Sequence, residues 1–429
     1  MNETLVVFAY AKAGLGHLRV TDALEDGLPK ETPRVYFSSL EQSIEGLHKL
    51  TSTHPVLTRL MERAQYGVLE HLVSASMKYF LLRRVEGTYA QLVHLTQAQK
   101  EYRSILLVAT HFGLAHQLAS LKDRLKQETG KDVKLAVVVT DDSPQEVWYV
   151  QDADVIFVPS EETKRGLYKL ADRYGWKRAR IEVNPYPIHP AFGASLDLQK
   201  YGQKSVQVLS GNEAHIYISV PISGASVGIA FVRTMLTSLQ AKLTRTKAYI
   251  IARENPYSRS FLREMSTASW VRVLSSPFDR TIVDQYHTLY ETEVIGYEIT
   301  KPSEQAFKAL VSGHARGGPI LLFTQPVGRQ EYDNLAFLRR HGLVPDENLT
   351  QTLWRQEESP LVCNMRGLVL PTDPTEAANF FVWCLKRDIF KTMLECEARA
   401  MSWDPHREEL GGDGVAKFWR LMSEISKSQ

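Results

Sequence analysis

Cysteine is scarce in this sequence: its 429 residues include three, Cys363, Cys384 and Cys396. They form no CxxC pair and no even set, which argues against a zinc site or a disulfide framework and for a reducing compartment. An excess of one charge is missing too. Lys and Arg total 51 against 49 Asp and Glu, a formal +2. The chain therefore lacks the field with which proteins blanket nucleic-acid phosphates, and any basic patch is local. No apolar run reaches the ~18 residues of a spanning helix. The short run at 5–9 has no basic stretch before it, so no leader peptide is read there. With 44% hydrophobic and 23% charged residues, wholesale disorder is excluded. The expectation is a cytoplasmic globular protein, most simply of two domains.

Runs at 5–10, 105–110, 135–140 and 155–159 are rich in β-branched residues, end at Gly, Pro or Asp, and read as buried parallel strands. Segments with apolar residues at helical spacing follow each. Strand–helix alternation gives a doubly wound α/β domain. A second series, with strands at 216–220, 248–252, 271–274, 293–296 and 319–323, repeats the theme. Between the series, Asn184-Pro-Tyr-Pro-Ile-His-Pro forbids helix. The expected organisation is a Rossmann-like domain over 1–190, a linker over 191–204, and a second Rossmann-like domain over 205–400. An insertion at 344–371 and a helix in 401–429 that packs back, with Phe418 and Trp419 on its apolar side, complete it.

Open α/β sheets bind ligands at the carboxyl ends of their strands, so the loops there carry the candidate chemistry. The first, 11–19, contains Gly14, Gly16 and His17 and opens a helix, whose free N–H groups and partial positive charge suit an anion. It is no dinucleotide fingerprint, because position 19 is Arg. His17 titrates in the range of a general base; capping or packing the helix start would use it equally well.

Further loops extend the pattern. Strand, Gly-x-Gly-His loop and helix resemble the opening of the monogalactosyldiacylglycerol synthases, the processive diacylglycerol glucosyltransferases and the peptidoglycan N-acetylglucosaminyltransferases, enzymes of the two-domain GT-B fold. Thr110-His111 resembles their Thr-His element. Val139-Thr-Asp141-Asp, Trp148 and the run from Phe157-Val-Pro-Ser to Glu162 resemble a longer and more specific stretch. Pro326 through Asn334, with Gly328, Gln330 and Glu331, resembles Pro-x-x-Gly-Gln-Glu-x-x-Asn. Where relatives read Thr-Lys-Pro-Gly-Gly, this chain has Thr300-Lys-Pro-Ser-Glu304, without the glycine pair.

The resemblance implies a GT-B fold with two domains facing across a cleft. It also implies inverting, metal-independent transfer of a sugar from a UDP-sugar, the donor substrate, to a hydroxyl of a lipid or other apolar acceptor, with no separate cofactor. His17 would take the acceptor proton, with Asp141 or His111 orienting it or holding the acceptor. Gly16 belongs to the same loop. Ser223, Gly224 and Ser226, with Arg253 and Lys301, would stabilise the leaving diphosphate; Phe278 would pack on the base; Glu304 would grip ribose or cap a helix. Gln330, Glu331 and Asn334 would set the sugar, although a surface helix start tolerates the same residues. A UDP-sugar 2-epimerase and a non-catalytic binding protein of this fold are the alternatives. Finally, 53–89 is mostly helical and places Lys78, Arg83 and Arg84 beside its most apolar part. Such a helix covers a sheet or, over 77–84, lies on an anionic membrane surface on the cytoplasmic side.

Overall fold

The computed structural model describes residues 3–11, 15–38, 67–83, 85–99, 102–224, 226–311, 315–317, 319–324, 328–356, 365–399 and 409–427. Gly14, 53–66, Arg84, 325–327 and Cys363 lie outside the described residues. The chain divides into two compact units, Met1–His189 with Asp413–Gln429, and Pro190–Gly412.

The first unit runs β1 (Thr4–Tyr10), α1 (Leu15–Asp26), β2 (Arg34–Ser38), α2 (Gly67–Leu82), α3 (Val85–Gln97), β3 (Ser104–Ala109), α4 (Phe112–Thr129), β4 (Asp132–Val138), β5 (Val155–Val158), α5 (Glu161–Tyr174) and β6 (Ile181–Val183). Its strands pair in parallel in the order β2-β1-β3-β4-β5-β6. Near-continuous apolar runs form these strands because helices cover both faces. Leu5, Val7, Leu107, Leu135 and Ile156 share one core.

The second unit opens with α6 (Pro190–Gly193) and α7 (Leu198–Gln207). It continues β7 (Ile216–Pro221), α8 (Ile229–Lys242), β8 (Thr246–Arg253), α9 (Arg259–Met265), β9 (Val271–Ser276), α10 (Asp279–Thr292), β10 (Tyr297–Thr300), β11 (Ile320–Leu322), α11 (Arg329–Arg340), α12 (Glu347–Trp354), β12 (Gly367–Val369), α13 (Pro374–Lys386) and α14 (Ile389–Arg399). The parallel order is β12-β11-β10-β7-β8-β9. Ile216, Ile218, Val220, Ile250, Ile299, Leu321 and Leu368 fill its core.

The α/β class read from the sequence is observed, with four local differences. The strand expected at 293–296 begins at Tyr297, because Glu293 still caps α10 and Gly296 sits where a Cβ would meet Gln207 Oε1 at 2.4 Å. Residues 344–371 supply α12 and the edge strand β12. Residues 191–204, expected as linker, carry α6 and most of α7. Cys396 is disulfide-bonded, against the reading from the cysteine count, while Cys384 is free and buried.

The terminal helix α15 (Gly414–Lys427) packs on the first unit. Phe418 lies 4.7 Å from Phe157 between ring centroids, and Trp419 meets Phe8 edge-on. The Trp419 indole N–H donates to the Leu24 carbonyl at 2.8 Å.

Lys204, fully buried on α7, fastens 190–207 into the second unit. Its ammonium donates to the carbonyls of Ala315, at 3.1 Å, and Gly317. Burial, with Arg366 adding, lowers its pKa to about 7. Between pH 7 and the ordinary lysine range the unfolded chain holds a proton that the folded chain has released, so folding gains stability as pH rises. Urea unfolding is expected to show this gain, up to a few kcal/mol, between pH 7 and 9.5 in the wild type relative to Lys204→Met. A pH-independent difference would contradict it.

Candidate active site

Each sheet reverses its strand order once, at β1 and β3 in the first unit and at β7 and β10 in the second. The loops leaving such strands diverge to opposite faces and open a crevice at the carboxyl ends. In the first unit these two positions carry His17 and His111.

His17 is the third residue of α1, half-buried, with half-buried Gly16 before it. Its carbonyl accepts from the hydroxyls of Thr21, at 2.8 Å, and Thr110, at 3.1 Å. The two hydroxyls contact each other at 2.9 Å. Its Nδ1 lies 3.3 Å from Thr140 Oγ1. The His111 ring stands edge-on at 5.0 Å between centroids, and Trp148 lies at 6.3 Å. His111 is buried immediately before α4 and stacks on Phe112. The imidazoles thus share an aromatic wall built from the ends of β1, β3 and β4.

Of the expected orienting groups, His111 is beside His17. Asp141 is half-buried one residue after Thr140, and Thr140 is the residue whose side chain meets Nδ1. Thr140 was not singled out from the sequence; its place in Val-Thr-Asp at a strand end was the available signal. Tyr186 fixes it by donating to its carbonyl at 3.1 Å. Asp142 has a different task. Its buried carboxylate accepts from the hydroxyls of Ser160 and of Thr163, the latter at 2.8 Å, locking the start of α5.

A polar seam joins this wall to α2. Glu146 is buried, and both its carboxylate oxygens face His71 Nδ1, at 3.0 and 3.1 Å. Its N–H donates to Glu70 at 2.9 Å. Lys78 also turns inward, 4.8 Å from the Trp176 ring centroid. Burial lowers its pKa, which Glu146 partly offsets. His116 donates Nε2–H to the Val147 carbonyl at 3.0 Å, and burial, with Lys78 adding, lowers it to about 4, so it is neutral. The helix turns Glu70, His71, Ser74 and Lys78 to the protein together with Leu81, while Leu69, Leu72, Tyr79 and Phe80 face out, Leu72 59% and Phe80 65% exposed. Lys78 is therefore not the surface cation expected; Arg83 is, lying over Tyr79 at 4.6 Å.

In the second unit the ends of β7, β8, β10 and β11 bring the other candidates together. Ser223 and Gly224 are half-buried, and Ser226 is buried with φ 58°, in the left-handed region, which costs a non-glycine residue roughly 1–2 kcal/mol. Asn255 holds this loop, donating to Ser226 Oγ at 2.8 Å and the Gly224 carbonyl at 3.3 Å. Arg253 pairs with Asp279 at 3.2 Å and Lys301 with Glu331 at 2.5 Å. The other Glu331 oxygen accepts the Gly328 N–H. Asn334 is fully buried and donates to the Pro302 carbonyl at 3.2 Å, so in this state it fastens α11 to the 301–303 turn. Gln330 is half-buried in the first turn of α11, and Glu304 opens a 3-10 turn, Glu304–Leu310. Phe278 stands 71% exposed ahead of α10.

The chain matches no protein-family model and no curated protein. Among solved structures it is similar to the UDP-GlcNAc 2-epimerase of Neisseria meningitidis bound to UDP-GlcNAc, with 11% identity and a TM-score of 0.49, covering 98% of this chain and 99% of that one. It is similar to a UDP-glucosyltransferase of Polygonum tinctorium capable of glucosylating indoxyl, with 13% identity and 0.48, covering 99% of both. It is also similar to MurG of Acinetobacter baumannii, with 8% and 0.45, covering 98% and 99%.

Asp142→Ala strips two buried hydroxyls of their acceptor and is expected to destabilise the first unit by about 1–3 kcal/mol. An unchanged thermal unfolding midpoint would contradict that structural role.

Proposed function

We propose that the protein transfers a hexose, with inversion and without a metal, from a UDP-sugar to a hydroxyl of a lipid or other apolar acceptor. The observation that carries this reading is His17 at the strand-order reversal of its sheet, ringed by His111, Thr140 and Trp148. An imidazole fixed at Nδ1 and half-buried in an aromatic wall suits a general base for a poorly hydrated hydroxyl. In the reaction the acceptor oxygen attacks the anomeric carbon and His17 receives its proton. The bond from that carbon to the diphosphate breaks, and UDP leaves with the electron pair. The Ser223–Ser226 loop and Lys301 lie where the second sheet reverses, Arg253 ends the neighbouring β8, and together they would balance the developing charge, as a metal does elsewhere.

The exposed apolar face of α2 supports an apolar acceptor. Gln117 on α4 donates to the Leu81 carbonyl at 2.9 Å, and Gly113 leaves room for both His111 and Leu81, which a Cβ there would meet at 3.0 and 3.5 Å. One helix therefore separates the histidines from an outward face of Leu69, Leu72, Tyr79 and Phe80 with Arg83 at its edge. Such a face fits the headgroup boundary of an anionic membrane on its cytoplasmic side, from which a lipid acceptor would be drawn.

Two measurements test the reading. His17→Ala is expected to lower turnover of a UDP-hexose 10²- to 10⁴-fold with donor affinity nearly unchanged; equal turnover removes His17 as the base. In flotation with phosphatidylglycerol-containing vesicles, wild type is expected to rise and a Leu72→Glu, Phe80→Glu variant to stay down. Equal behaviour of the two would sink the membrane assignment.

A further inference from the structure

Both cations expected to receive the donor diphosphate are already paired with carboxylates of their own unit. We propose that Glu331, seconded by Asp279, holds these cations until a nucleotide sugar arrives, and thereby favours intact donor over the nucleotide left after transfer. The inference rests on the UDP-sugar reading above.

Lys301 Nζ lies 2.5 Å from Glu331 Oε1, and their side chains are 10% and 21% exposed. The Arg253–Asp279 pair, at 3.2 Å, is similarly enclosed. Pairs so shielded are little screened by salt. An incoming diphosphate must displace the carboxylates, because like charges crowded around one cation disfavour each other. The two carboxylates then fare differently. Asp279, at the start of α10, gives up Arg253 whichever nucleotide arrives. Glu331 is still held at Oε2 by the Gly328 N–H, so Oε1 stays at the opening of α11, beside Gln330. There a donor hydroxyl of the sugar can replace the lost ammonium. With UDP that oxygen gains only solvent. Opening the Lys301–Glu331 pair is thus offset for the donor and uncompensated for the product, which strengthens retention of the first and release of the second.

The test is calorimetric titration of the full chain with UDP and with UDP-glucose, UDP-galactose and UDP-N-acetylglucosamine, for wild type, Glu331→Gln and Asp279→Asn. Glutamine removes the charge and keeps an oxygen for the Gly328 N–H. Glu331→Gln is expected to tighten UDP about tenfold and the preferred UDP-sugar less, so that the wild-type preference for donor shrinks. Asp279→Asn is expected to tighten UDP and UDP-sugar alike, and it keeps the test open should Glu331→Gln fail a circular-dichroism check of folding. Equal or weaker UDP binding by either folded variant overturns the inference while leaving the UDP-sugar reading intact. Absence of heat from every nucleotide with wild type and both variants defeats the UDP-sugar reading, and this inference with it.

Discussion

The reversal of strand order in each sheet brings together residues that the chain keeps far apart. A parallel sheet wound in one direction would send every crossover helix to the same face; winding first one way and then the other leaves two adjacent strand ends without a helix between them. In the first unit that accident of topology sets His17, after β1, against His111, after β3, although 93 residues separate Thr110 from the His17 carbonyl it holds. In the second unit it sets the Ser223–Ser226 loop beside Lys301. The Thr21–Thr110–His17 hydrogen bonds, the Tyr186 bond to Thr140 and the Asn255 clamp on Ser226 are all local means of holding what the topology has brought near.

Enclosed charge follows a consistent pattern. Glu146, Lys78, Glu331 and Lys301 each turn away from water toward a partner on a neighbouring element. A desolvated charge is tolerable only when paired and hydrogen-bonded, and removing one partner of such a pair costs more than the pair contributes. These contacts therefore say less about net stability than about register. They fix α2 against 146–148 and α11 against the 301–303 turn.

Much of this was legible in the sequence. Short β-branched runs bounded by Gly, Pro and Asp mark β1, β3, β5 and β7 almost to the residue, and β4 to within three, because a doubly covered strand has no polar face to disguise it. The histidine pair was legible as two strand-end residues. What escaped was long-range. A helical wheel separates the two faces of α2 without saying which meets the protein; the buried Glu146 decides that, 75 residues from His71. Glu331 and Asn334 read as sugar-binding residues at a helix start, and their ties to Lys301 and Pro302, 30 and 32 residues away, had no local signal. Phe278 read as a base platform through the resemblance alone, and its exposure depends on what surrounds it.

The turn at 301–304 is fixed from below. In place of a glycine pair, 301–304 leads into the 3-10 turn Glu304–Leu310, whose Lys308 is buried against Glu298 of β10. Tyr290 of α10 donates to that carboxylate, and the single hydroxyl proton of Tyr286 lies between it, at 2.7 Å, and Gln305 Oε1, at 2.8 Å. Burial, with the carboxylate adding, holds the Tyr290 hydroxyl well above its ordinary pKa, so it remains a donor. A glycine loop wraps phosphate by its freedom to take left-handed conformations. Here that freedom is replaced by a backbone position set by a buried charge network on the adjoining strand and helix. Lys301 is accordingly presented at one place, against Glu331.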